Sequence, residues 1–222
     1  RDAGSTGGVL IENAGTTAQF DAIYVGGSNS ASGGDGVLSV NAQAVLTVPG
    51  AGVCKVHTNG RVAVSQSAMI SAPLSIWTNQ GVIEMENGGV LDAADLTVTS
   101  GAILRGPNNV PGAAAVNART HVLTGGTLEL VNGDLSVGDP TSTAGFLAGD
   151  ASIITVGSHT LTIVRTAAPT AAFRLPTASG FPSRCGHYSG NGTFCQREFR
   201  TGLTQPNVRG RIWVAQLGPS EH

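Results

Sequence analysis

"TLELVNG" occupies residues 127–133 and "VIEMENG" occupies residues 82–88. Leu128 matches Ile83, Glu129 matches Glu84, Leu130 matches Met85, Asn132 matches Asn87 and Gly133 matches Gly88, at a separation of 45 (133 − 88). A phrase written twice at long range is the signature of a repeating structure. Short phrases led by Gly recur on either side: "GVLSV" (36–40), "GRVAV" (60–64), "GVIEM" (81–85), "GAIL" (101–104) and "GTLEL" (126–130). Their glycines step by 24, 21, 20 and 25 residues, and "ASIITV" (151–156) follows 25 further on without its Gly. Each phrase alternates apolar and other residues, as a strand with one buried face requires.

A second set interleaves: "LTV" (46–48), "LSI" (74–76), "LTV" (96–98), "LSV" (135–137) and "LTI" (161–163), with steps of 28, 22, 39 and 26. The step of 39 implies a degenerate member near "HVL" (121–123). Two or three short strands in each 20–28 residues, with no helical period between them, predict an all-β, single-stranded parallel β-helix, a solenoid. Stacked turns would align Leu38, Val62, Ile83, Ile103, Leu128 and Ile153 as one inward column. The pairs Asn59-Gly60, Asn87-Gly88 and Asn132-Gly133 then fall at corners, where Gly and Asn tolerate positive φ. Asn-Gly between alternating runs is equally a hairpin signal, so an antiparallel β-sandwich or jelly roll is the alternative. The one-directional recurrence and unequal flanks favour the solenoid.

Composition agrees with a β-protein that faces the cell exterior. Charged residues make up 12%, about half the usual share, while Gly reaches 32 of 222. With 41% apolar residues and a net charge of −2, the chain does not have the profile of disorder. No apolar run approaches a membrane span, so membrane insertion is not expected. The first residue is Arg1 rather than Met, which is compatible with a cleaved leader or a fragment.

Charge divides the chain into two regions. Residues 1–164 hold 5 basic and 12 acidic side chains, and residues 165–222 hold 7 Arg and 2 Glu. Six of the ten aromatic residues lie in the second region. We therefore expect a solenoid body over 1–164 and a basic, aromatic-rich cap or assembly region over 165–222.

The body resembles right-handed parallel β-helix surface proteins: autotransporter-like passengers, filamentous adhesins and phage tailspikes. "GTLELVNGDLSV", "GVIEMENGGVLDAADLTV" and "HTLTIV" carry the resemblance, over about residues 7–164. It implies an elongated extracellular protein, structural or glycan-facing, whose partners are copies of itself or cell-surface glycan.

In "VCKV", Cys54 is expected to face the core with Val56 while Lys55 faces water. Cys185 and Cys195 bracket "CGHYSGNGTFC", and a disulfide between them would stabilise the loop by roughly 2–4 kcal/mol. A zinc site on Cys185, His187 and Cys195 lacks a fourth ligand at a familiar spacing. "NGT" at 191–193 is a glycosylation acceptor in a secretory host. "RIWVAQL" reads as a strand with Ile212 and Val214 on one face and Trp213 on the other. An exposed solenoid end needs a cap or a partner. Arg197, Arg200, Arg209, Arg211 and Trp213 are the candidate contacts for docking on the acidic body of a second copy.

The candidates for catalysis are the carboxylates. Glu84 and Glu86 lie two apart, Asp92 and Asp95 lie beside a turn, and Glu129 stacks two coils from Glu84 in the repeat alignment. That places two carboxyls roughly 9.6 Å apart, a spacing a glycosidase can use. The expectation, however, is that they hydrate the solvent face, in a region whose central arginines are Arg61, Arg105 and Arg119. Sugar-stacking rings in the body are few: Phe20, Tyr24, Trp77 and Phe146. Histidines 57, 121, 159, 187 and 222 are scattered, and "GGSNSASGGDG" (26–36) reads as a flexible surface loop, not a phosphate cradle. No cofactor and no nucleic-acid partner is expected, because the body is acidic and the tail has no recognised module.

Overall fold

The structure is a computed structural model. It describes residues 5–109, 111–139, 141–142, 145–149, 152–156 and 159–164, together with the backbone of 165–166, 184–188, 192–198 and 211–217. No helix occurs among the described residues.

Strands follow one another coil by coil. The first coil holds β1 (Thr6–Ile11), β2 (Thr17–Gln19) and β3 (Tyr24–Val25); the second holds β4 (Asp35–Val40), β5 (Val45–Thr47) and β6 (Val53–Val56). In the next three coils, the second and third strands fuse. These are β7 (Gly60–Val64) with β8 (Met69–Asn79), β9 (Val82–Met85) with β10 (Val90–Val98), and β11 (Ile103–Arg105) with β12 (Gly112–Val122). Then come β13 (Thr127–Glu129), β14 (Gly133–Asp139) and β15 (Phe146–Ala148), followed by β16 (Ile153–Thr155) and β17 (Thr160–Thr166). The described strands end with β18 (Arg184–Tyr188), β19 (Gly192–Glu198) and β20 (Arg211–Leu217).

Every strand pair from β1 to β17 is parallel, and so is β17–β20. Among the described residues antiparallel strand pairing is confined to β18–β19 and β19–β20, which removes the sandwich alternative for the body. The body is a parallel β-solenoid with three faces. Face one is a seven-stranded sheet in the order β1-β4-β7-β9-β11-β13-β16. Face two runs from β2 and β5 through the first halves of β8, β10 and β12 to β14, β17 and β20. Face three takes β3, β6, the second halves of the three long strands, and β15. In β10 a register shift between Ala93 and Asp95 marks the bend from face two to face three.

Inside, apolar side chains stack in columns. On face one the register aligns Leu38, Val62, Ile83, Leu104, Leu128 and Ile154. Two members of the expected column are therefore corrected by one residue: Ile103 is half-buried beside fully buried Leu104, and Ile153 is 54% exposed. For Ile153 the phrase is aligned on Ala151 where Ser152 leads the strand, and for Ile103 it is aligned on the wrong glycine. Gly101 (φ 77) is a corner residue whose counterpart is Gly125 (φ 77), whereas the strand-leading position is Ala102, opposite Gly126.

Face two aligns Leu46, Ile70, Leu91, Val116, Val137 and Ile163. Face three aligns Cys54, Trp77, Leu96, Thr120 and Phe146. The apolar–hydroxyl–apolar phrases thus come from two faces, which is why their steps were irregular. "LSI" is moreover inverted: Ser75 points inward and bonds the Gly50 carbonyl at 3.1 Å, while Leu74 and Ile76 are exposed. The member sought near "HVL" exists as β12. Each fully buried Leu, Ile or Val contributes about 1.5–3 kcal/mol against the exposed state. Asn79 breaks the column between Val56 and Val98 without loss: its Nδ2 donates to the Ile103 carbonyl (2.8 Å) and its Oδ1 accepts from the Gly81 amide (3.0 Å).

The corners from face one to face two repeat one turn with different spellings. Asn41–Ala44, Ser65–Ala68 and Glu86–Gly89 each close by an amide bonding the carbonyl three residues back. Positive φ falls on Ala42 and Gln43, on Gln66 and Ser67, and on Gly88. Of the three Asn-Gly pairs, only Gly88 uses left-handed backbone. Gly60 and Gly133 are needed for a different reason: a Cβ there would stand 2.4 Å from the Val25 carbonyl and 2.0 Å from the Gly112 carbonyl of the neighbouring coil.

Candidate functional site: a cross-coil charge ladder and an open end

Glu84 follows inward-facing Ile83 on β9, so it starts on the outer side of face one. Parallel register sets Arg105 opposite Glu84 and Glu129 opposite Arg105. Arg105 Nη1 donates to Glu84 Oε1 at 2.8 Å, and Arg105 Nε donates to Glu129 Oε1 at 2.5 Å. From the other side Arg61 Nε donates to Glu84 Oε2 at 2.9 Å, and Arg61 Nη2 bonds the same oxygen. The result is an alternating ladder, Arg61–Glu84–Arg105–Glu129, running across the coils.

Glu84 is 2% exposed and Glu86 is 5% exposed, which corrects the expectation that these carboxylates hydrate the surface. A buried carboxylate is tolerable only when its oxygens are paired. For Glu84 two guanidiniums meet that need. Glu86 accepts from the Asn109 amide (3.0 Å) and from Asn109 Nδ2 (2.7 Å). Burial pulls the Arg105 guanidinium down, but hydrogen bonds and charge from Glu129 and Glu84 outweigh it and leave it raised. Asp92 and Asp95 flank the β10 bulge; Asp92 accepts from Asn117 Nδ2 (2.7 Å) and Asp95 from Arg119 Nη2 (2.5 Å). All three central arginines are thus bound to acids on neighbouring coils. Glu84 and Glu129 do lie two coils apart as the repeat implied, yet Arg105 stands between them where a substrate would have to sit.

Cys54 is free, buried and inward-facing beside Val56, as the sequence implied. Burial pushes its thiol up, against weaker opposing hydrogen bonds from Ile23 and Ser75. Trp77 and Phe146 are also core, not sugar platforms. The loop expected to be flexible is folded: Gly27 and Ser32 form an antiparallel bridge, and buried His57 holds the Ser28 carbonyl through Nε2 at 2.6 Å.

The first coil differs from the rest. Val9 lies in register with inward-facing Leu38, and Phe20 continues the inward series of β2, yet they are 50% and 40% exposed. Together with Ile23, Tyr24 and Val25 they line an open cleft of about 260 Å³. Beside it the outer edge of β1 is unpaired among the described residues. Between Ser5 and Cys54 the charged residues are Glu12, Asp21 and Asp35, all exposed and all acidic. The sequence implies that a solenoid has exposed ends but does not single out Val9 and Phe20 as lining this one, because Val9 and Leu38 look alike until the stack is counted.

At the opposite end, β17 runs across the 164/165 boundary and β20 pairs with it, in register Leu161–Ile212 and Ile163–Val214. Trp213 lies opposite Thr162, and Arg211 lies opposite Thr160 and Glu198. Arg197 is opposite Ile212, and Cys185 is directly opposite Cys195 in the β18–β19 hairpin. Arg200, Arg209 and Asn191 lie outside the described residues. No protein-family model, curated protein or solved structure matches this chain, so its own geometry carries the functional reading.

Proposed function

We propose that the chain is a non-catalytic structural or adhesive β-solenoid of the cell surface or extracellular space, working through contacts with copies of itself or with surface glycan. The observation that carries this reading is the ladder. Glu84, Glu129 and Asp95 are bound by arginines across coils, and Glu86 and Asp92 by asparagines, where they brace a shaft and are withheld from acid–base chemistry, which needs a proton-bearing carboxyl open to substrate. An oxidising exterior would also join Cys185 to Cys195, whose opposed register suits a clasp on the cap; intact-mass measurement with and without reductant tests that bond.

The experiment for the main reading is electron microscopy of the purified protein at low and high salt, alongside incubation with a panel of polysaccharides. Filaments or ordered arrays support it. Discrete particles that cleave a polysaccharide overturn it. A second reading, a glycan-binding domain, draws on Phe20 and Tyr24, which both line the open cleft of the first coil. It predicts saturable oligosaccharide binding that Phe20→Ala weakens, without cleavage.

A further inference from the structure

Interior-facing residues of a solenoid are sealed only when a coil lies on both sides of them. Among the described residues no coil lies on the outer side of Val9 and Phe20, and the β1 edge beside them has no strand partner there. Such an edge accepts a further strand, and such a cleft accepts apolar side chains. The charged residues from Ser5 to Cys54 are acidic, with Asp21 and Asp35 next to cleft-lining Phe20 and Gly36 and Glu12 on the same coil, while Lys55 on the second coil lies opposite Tyr24. A symmetric pairing of two such ends would set acids against acids. The region of opposite sign in the same chain is 165–222, with 7 Arg against 2 Glu, and it contains four of the chain's six Phe and Trp213. β20 is bound to β17, seven strand steps from β2 on face two, or roughly 34 Å at the usual strand spacing.

We infer that the open first coil receives the Arg-rich C-terminal segment (165–222) of a second copy, the acidic rim steering it and the β1 edge and apolar cleft holding it. The inference rests on the reading of the chain as an assembling solenoid and adds which two surfaces meet. The contact is heterologous, so it propagates into a filament unless the rotation closes a ring.

A charge exchange tests it on full-length protein, read by sedimentation velocity and electron microscopy. One variant carries Glu12→Lys, Asp21→Lys and Asp35→Lys, taking the rim from −3 to +3. The other carries Arg197→Glu, Arg200→Glu and Arg209→Glu, taking the segment from +5 to −1. Each alone should raise the concentration needed for assembly by about tenfold or more at low salt, and an equimolar mixture should restore it, because each variant's rim then meets the other's complementary segment. Leu10→Lys, on the exposed β1 edge, should weaken assembly in every mixture, and thermal melts of all variants should match wild type. If wild type assembles but the rim variant does so equally well, the inference falls and the assembling reading stands. Dimers that survive reversal of the C-terminal arginines would also overturn it, in favour of pairing between two first coils. Wild type that stays monomeric at every salt removes the assembling reading and the inference together.

Discussion

The first coil and the middle coils follow the same pattern but differ in what that pattern achieves. Val9, Leu38 and Val62 occupy successive places in one inward column, yet their exposures are 50%, 4% and 0%. Nothing about the Val9 strand is less apolar. Burial here is a property of the stack and not of the strand, so a residue's energetic weight depends on how many coils flank it.

The largest expected effect follows directly. Leu104→Ala, in the sealed middle, should cost about 2–5 kcal/mol in urea unfolding, whereas Val9→Ala should cost less than about 1. Equal costs would break the comparison and show that the first coil is covered in solution. The ladder should fall next. Glu84→Gln removes the charge between two guanidiniums and should cost about 1–3 kcal/mol. Glu129→Gln, whose side chain is 27% exposed and bound to one arginine, should cost less than about 1 kcal/mol by the same assay.

A smaller gain is expected at the corners. Gln43 holds φ 65 without being glycine, so Gln43→Gly should stabilise by up to about 1 kcal/mol, read as a raised midpoint. The smallest expected effect is none at all: native protein should leave Cys54 unlabelled by a thiol reagent at mildly alkaline pH, with labelling appearing only on unfolding. Rapid native labelling would show that the opening of the first coil extends to the second. Because the folded thiol is held neutral and raised above 9.0, its contribution to stability is whole below that pH. It fades as the pH climbs through the raised value.

Much of the shaft was legible because a strand's side-chain period is local. "GVIEM" and "GTLEL" carry their inward residues in plain alternation, and the Cys54 orientation followed from Lys55 alone. The repeat even placed Glu129 two coils from Glu84. What was illegible depended on residues one coil away. Gly101 looks like a strand-leading glycine until its partner Gly125 shows it to be a corner. Glu84 reads as a surface acid until Arg61 and Arg105, 23 and 21 residues distant, close over it. The left-handed pair Ala42-Gln43 has no spelling of its own, since its geometry is shared with the Gln66-Ser67 turn stacked on it through the Gln43 amide and Gln66 carbonyl.

The parallel register has a mechanical consequence. Hydrogen bonds between coils run along the stacking direction, so tension applied along the shaft loads them one coil at a time and peels rather than shears. Each face-one coil spans between 21 residues (Val62 to Ile83) and 29 residues (Val9 to Leu38). Released, a coil of roughly 24 residues stretches to about 80 Å, against the ~4.8 Å it occupied in the stack. Single-molecule pulling should therefore give a sawtooth of nearly even steps, in which a short stiff rod yields length in fixed increments and absorbs a sudden load without parting.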